Sequence, residues 1–222
     1  MNANSPVFKG QFGEFTITSG DRWEVMIYRA GLNGAALCFA LGTGLLLWQG
    51  AGFATLKILT GLYGIFCLSL GVSLFTIHIY LSQLHRLLQW FWAIGCGTSL
   101  FFALTQPDPL PLYVYQHPTG LVGVGFTFAA LTGIFFKEGF CFNRLETKLL
   151  TPLVPLLLLG HLLSLLPLGV EPILLASWAG LFLLFAWRKI PQAIPADIGD
   201  KSVFAYLKQQ RKQEREQVVT SL

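Results

Sequence analysis

Charge is what this sequence has least of. Only 12% of its 222 residues are Asp, Glu, Lys or Arg, about half the 25% or so that a soluble domain carries. A disordered or nucleic-acid-binding tail would need a hydrophilic excess, whereas mean hydropathy is +0.60; no nucleic-acid partner is expected. Cysteine is sparse: Cys38, Cys67, Cys96 and Cys141 show no CxxC spacing, so neither a zinc knuckle nor a disulfide framework is implied. There is no Ser-His-Asp order, no HExxH, no P-loop and no Gly-rich phosphate cradle. Residues 1–29 hold no apolar signal core and no cleavage site, and the chain reads as mature from Met1. What is abundant is apolar: 54% of the chain, gathered into long runs, as in a multispanning membrane protein.

A span needs roughly 20 mainly apolar residues. Six segments qualify: 30–48, 58–80, 87–104, 118–136, 149–166 and 172–187. The fold expected is all-α, a polytopic membrane bundle of six transmembrane helices. An interfacial segment (1–29) precedes the six-helix domain (30–187), and a basic tail (188–222) follows it. The fifth span has two possible starts. Thr151-Pro152 reads as a cap with proline at the first helical position. An earlier start places Pro152 and Pro155 inside the helix, where they would kink it. Fourteen of the fifteen Lys and Arg residues fall on one side of such a bundle, with Lys57 alone on the other. The positive-inside rule then predicts that both termini are cytoplasmic, or stromal in a plastid.

Small residues recur at helical spacing in the first two spans, Ala36, Ala40 and Gly44 and then Gly61, Gly64 and Gly71, and Gly95 and Gly97 lie in the third. Such stripes allow close backbone approach in lipid. Trp48, Trp90, Trp92 and Trp187 fall at span ends and suggest an aromatic belt. The connection Thr105–His117 contains three prolines that argue against a helix, so it reads as a rigid lid or a docking loop. Ahead of the first span, Asp21 and Glu24 have capping-box spacing, so a helix should start near Asp21. The alternative there is a hairpin with Trp23, Val25 and Ile27 in its second strand.

Few groups can carry chemistry. His78 and His161 lie within spans two and five, at opposite ends. If chlorophyll or haem binds, they are the candidate axial ligands; a hydrogen bond to a neighbouring helix is the alternative. His85 follows His78 by seven residues, on the same face of one helix. Asp108, His117, Glu171 and His161 would approach one another only if two loops met. Lys137–Lys148 (KEGFCFNRLETK) reads as a solvated turn in which Glu138, Arg144, Glu146 and Lys148 pair. In the tail, Asp200 or Ser202 can cap a helix over about 201–218. Its Lys208, Arg211, Lys212 and Arg215 offer an electrostatic docking surface for anionic lipid or a partner complex.

The strings DRWEVMIYRAGL and FKEGFCFNRLETKLLTPLVPLLLLGHLL, together with overall length, carry a further reading. On them the chain resembles a family of uncharacterised integral membrane proteins, a domain of unknown function, of cyanobacteria and related plastids. That resemblance implies a photosynthetic membrane as the setting and assigns no residue a role. Two functions are expected to compete. One is a non-enzymatic accessory or assembly protein of a photosynthetic complex such as photosystem II, in contact with lipid and other membrane subunits. The other is a small-solute transporter or channel.

Overall fold

The computed structural model describes residues 6–79, 81–167, 169–203, 206–210 and 213. A two-stranded hairpin, β1 (Val7–Gly10) and β2 (Gly13–Thr16), leads into α1 (Ser19–Gln49). Then come α2 (Phe53–Thr76), α3 (Ser82–Thr105), the short α4 (Leu110–Gln116), α5 (Gly120–Phe142), α6 (Leu145–Leu162), α7 (Val170–Lys189) and the short α8 (Ile194–Ile198). The six long helices are each long and apolar enough to cross a membrane, which bears out the expected bundle.

The N-terminal hairpin exists, but not where the alternative above put it. Phe15 pairs with Phe8, and Val7 with Thr16, so the second strand ends before the segment containing Trp23. The helix starts two residues earlier than expected. Its cap is Thr18, whose side chain accepts from Asp21 N–H while the Asp21 carboxylate accepts from Thr18 N–H at 2.6 Å; Glu24 takes no part in that box. With 31 residues, α1 is about 46 Å long, against a hydrocarbon core of about 30 Å. Its first turns can therefore stand outside the apolar slab, which lets Arg22, Glu24 and Arg29 sit on it.

Two further expectations are corrected. The proline-rich connection does form a helix, α4, because Pro111 falls in its first turn, where the missing N–H has no intrahelical partner to lose. The fifth span takes the early start: α6 runs from Leu145 through Pro152 and Pro155. It ends at Leu162, where Ser164 turns into the left-handed region at φ 54°, well before Pro167.

Close approach in the bundle is made at glycines, only some of them on the expected stripes. A Cβ on Gly31 would lie 2.6 Å from the Ser69 carbonyl oxygen, and one on Gly95 would overlap the Thr127 backbone. Gly71 lies against the Trp92 indole, which donates to the Cys67 carbonyl at 2.8 Å; Trp92 is thus a packing residue, unlike the exposed Trp48, Trp90 and Trp187. Gly44, Gly61, Gly64 and Gly97 have nothing within 4 Å of a would-be Cβ. The core is aromatic: Trp178, Phe66, Phe135, Phe182 and Phe185 are fully buried, with Phe39 and Trp178 centroids 4.4 Å apart. A second, small core joins the two ends of the chain. Ile17, Val25 and Ile198 pack there with Phe8, Phe15 and Ile194.

Candidate functional site

The densest chemistry lies where α1, α5, α7 and α8 meet. Lys189, at the end of α7, is wholly buried, and so is Glu138 near the end of α5. Lys189 Nζ donates to Glu138 Oε2 at 2.7 Å and also to Asp197 Oδ1. The other Glu138 oxygen accepts from Tyr28 Oη at 3.0 Å and Lys137 Nζ at 2.8 Å. Asp197, on α8, accepts from Arg29 through both Nε (2.8 Å) and Nη2 (2.6 Å). Phe142 lies 4.5 Å from Lys189 Nζ and adds a cation–π contact.

The network continues through Gln192. Its amide donates to Asp197 Oδ1 at 3.1 Å, and its carbonyl accepts from Arg144 Nη2 at 2.5 Å. Beyond Arg144, the buried Glu146 accepts from Arg188 at 3.0 Å. Glu138 and Glu146 are therefore not in a solvated turn. Pro191 and Pro195 bring the chain after α7 back across the bundle end, and Asp197 reaches Lys189. Burying such ions costs several kcal/mol each unless they are paired and hydrogen-bonded. All four oxygens of Glu138 and Asp197 accept at least one bond. The arrangement is a clamp: it fastens α8 to α1, α5 and α7, and leaves none of these oxygens without a donor.

At the same end, Asp21, Glu24 and His78 bring ligand atoms within 4.8 Å of one another. These residue types suit a divalent ion. However, Asp21 already serves the helix cap and holds Lys201 Nζ at 2.8 Å. His78 lies among residues 77–79, which follow the end of α2, not within a helix, and its Nε2 faces Glu24 Oε2 at 3.2 Å. Burial pushes the His78 imidazole below its usual range, outweighing Glu24, which is largely exposed and screened. Because α2 ends before His78 and α3 begins after it, His78 and His85 do not share one helix. His85 Nε2 meets the Leu74 carbonyl at 2.6 Å.

At the opposite end, His161 on α6 places Nδ1 2.9 Å from Glu171 Oε1, and Tyr115 stacks on its ring at 4.8 Å. Its Nε2 is buried without a hydrogen-bond partner. His117 instead contacts the Tyr113 carbonyl, and among the described residues neither it nor Asp108 joins a metal-competent group with His161. His161 lines an open cavity of about 220 Å³ between α2, α4, α5 and α6.

In the tail, Asp200 Oδ1 accepts from Ser202 N–H at 2.9 Å, as expected of a cap, and helical turns cover 206–210. Asp200 Oδ2 also accepts from Gln11 N–H at 2.6 Å, so the tail is bound to the N-terminal hairpin. Lys208 is exposed there; Arg211, Lys212 and Arg215 lie outside the described residues.

The buried ion network was not legible as a site in the sequence. Its members stand at span ends, where charge ordinarily marks the water interface, and only the turn at Pro191 and Pro195 brings them together. Comparison with known proteins agrees with the architecture. No curated protein and no solved structure matches the chain. Residues 72–206, more than half its length and covering α3 to α8, match the family described as uncharacterized integral membrane protein (DUF2301). Six apolar helices and that match make the chain an integral membrane protein belonging to the DUF2301 family.

Proposed function

We propose that the protein is a non-enzymatic accessory or assembly protein of a photosynthetic membrane complex, with photosystem II the complex to test first. The observation that carries the reading is the uncovered side of the bundle. Helix α3 buries only Leu88, Gly95 and Ser99 over its 24 residues. Trp90, Ile94, Leu100, Phe101 and Leu104 are left exposed, a face suited to lipid or to the helix of another subunit. The buried carboxylates of Glu138 and Asp197 are paired with Lys189, Lys137 and Arg29. The photosynthetic setting rests on the resemblance of the DRWEVMIYRAGL and FKEGFCFNRLETK strings to the cyanobacterial and plastid family. Both termini are assigned to the cytoplasmic or stromal face on the distribution of Lys and Arg.

Tagged purification in mild detergent from the native membrane tests this. Photosystem subunits should co-purify, and changing Lys208, Arg211, Lys212 and Arg215 to Gln should weaken their recovery at low salt, where charge attraction is least screened. Recovery of a lone protein would sink the reading. Protease added on the cytoplasmic side should reach the tail; cutting only from the other side would reverse the orientation. A small-solute transporter or channel is the second reading, favoured by ionisable Glu138 and Lys189 buried at helix ends. Solute movement in vesicles by the partner-free protein would establish it.

A further inference from the structure

The cavity at His161 combines a polar atom in need of a partner with walls that carry no Asp, Glu, Lys or Arg. A carboxylate only accepts hydrogen bonds, so Glu171 keeps the proton of a neutral His161 on Nδ1. Nε2 then presents a lone pair. That atom is buried and unpartnered, a state that is costly to leave unsatisfied. Glu171 and the stacked Tyr115 ring fix the plane of the imidazole from two directions.

The remaining cavity walls, Tyr63, Leu110, Val124 and Phe128 among them, carry no Lys, Arg, Asp or Glu. An anionic headgroup would be desolvated there without a counter-charge. A volume of about 220 Å³ is below the roughly 300–1,000 Å³ of pockets that take drug-sized ligands. It admits one substituted six-membered ring and excludes a tetrapyrrole. Leu121 lines this cavity and also an apolar groove of about 390 Å³ between α5 and α6. The groove is walled by Phe126, Pro155 and Leu158 among others, and it offers a path for an apolar chain.

We propose that this is a binding site for a lipid-soluble hydroquinone: one ring hydroxyl donates to His161 Nε2, and the apolar tail lies in the α5–α6 groove. The hydroxyl is what distinguishes this occupant from an ordinary acyl chain, which would fill the groove and leave Nε2 unpaired. It also separates the reduced ring from the oxidised one, since a quinone carbonyl cannot donate.

The test uses the full-length protein alone in nanodiscs of neutral phosphatidylcholine, so its outcome does not depend on any partner complex. Decyl-substituted benzohydroquinone and the matching benzoquinone are titrated by calorimetry. The hydroquinone should bind about tenfold more tightly, the size expected when a buried acceptor gains or lacks its donor. His161→Phe, which keeps an aromatic ring against Tyr115, should bring the two affinities together. Leu121→Phe, which leaves the His161–Glu171 pair intact, should weaken both ligands by narrowing the junction of head and tail. Equal affinities in the unaltered protein, or a hydroquinone preference that survives His161→Phe, would overturn the proposal. So would a bound tetrapyrrole whose absorption is lost with His161. Should His161→Phe fail to fold, unaltered binding in Leu121→Phe would be decisive against the site.

Discussion

Lys189 bridges the two buried carboxylates of the ion network, Glu138 and Asp197. Its ammonium joins carboxylates from α5 and α8 in a place without water contact. Lys189→Met would leave Glu138 with Lys137 and Tyr28, and Asp197 with Arg29 and Gln192. The surviving partners put the expected loss at about 3 kcal/mol, the lower end for breaking a buried pair. Pairing Lys189→Met with Glu138→Gln should cost less than the two single changes added together, because each single change removes one counter-charge from a buried ion and both lose the same Lys189–Glu138 contact. Denaturation in detergent, followed by circular dichroism, reads both. His78 yields a prediction in pH. Its folded-state affinity for protons lies below the usual histidine value of 6.5, so the unfolded chain binds the proton more readily. Stability is therefore full above that value and falls as pH drops below it. The melting midpoint should decline from pH 7 to pH 5, and His78→Asn should flatten that part of the curve.

Elements in this chain are decided at their ends. Thr18 starts α1 by exchanging hydrogen bonds with Asp21, and Asn143 closes α5 in the left-handed region at φ 51°. The N-terminal hairpin depends on one small residue: a methyl group at Gly10 would overlap the Asp200 carboxylate and the Ser202 hydroxyl. Asp200 is held below the usual carboxylate range by the Ser202 hydroxyl and the Gln11 N–H, the same two neighbours that fasten hairpin to tail. Gly10→Ala should force them apart and speed the cleavage of the segment after Gly199 in limited proteolysis, while the six long helices keep their circular dichroism. An unchanged cleavage rate in that variant would show that Ile17, Val25 and Ile198 suffice to hold the tail.

For the molecule as a whole, helix α1 is the spine. It packs on α2 through Gly31, on α7 through the aromatic core, and on α8 through Arg29. Gly31→Val should disrupt the bundle at the α1–α2 contact. Its side chain would meet Ser69 and Ser73 backbone atoms at 2.6 Å and 2.9 Å, which cannot rotate away as a side chain can. Overpacking of this kind costs about 1–3 kcal/mol or more. A loss of monodispersity on size exclusion should accompany the drop in melting temperature.

The sequence alone determined the class, the number of spans and their approximate limits, because hydrocarbon admits only long apolar helices and so writes itself into composition. It also marked Asp200 and Ser202 as the two candidate caps in the tail, since such caps act within a few residues, and the structure has Ser202 N–H donating to Asp200. Tertiary structure decided what depends on residues far apart in the chain. Pro111 was harmless only because α4 begins beside it. Glu138 and Lys189 looked like interface charges because each stands at a span end, and their partner Asp197 arrives only when the tail folds back. His161 was visible as an ionisable residue in a span, but its orientation by Glu171 and the cavity beside it needed α4, α5 and the start of α7 in place. Local rules reach a few residues along the chain, whereas burial and pairing are set by what packs across it.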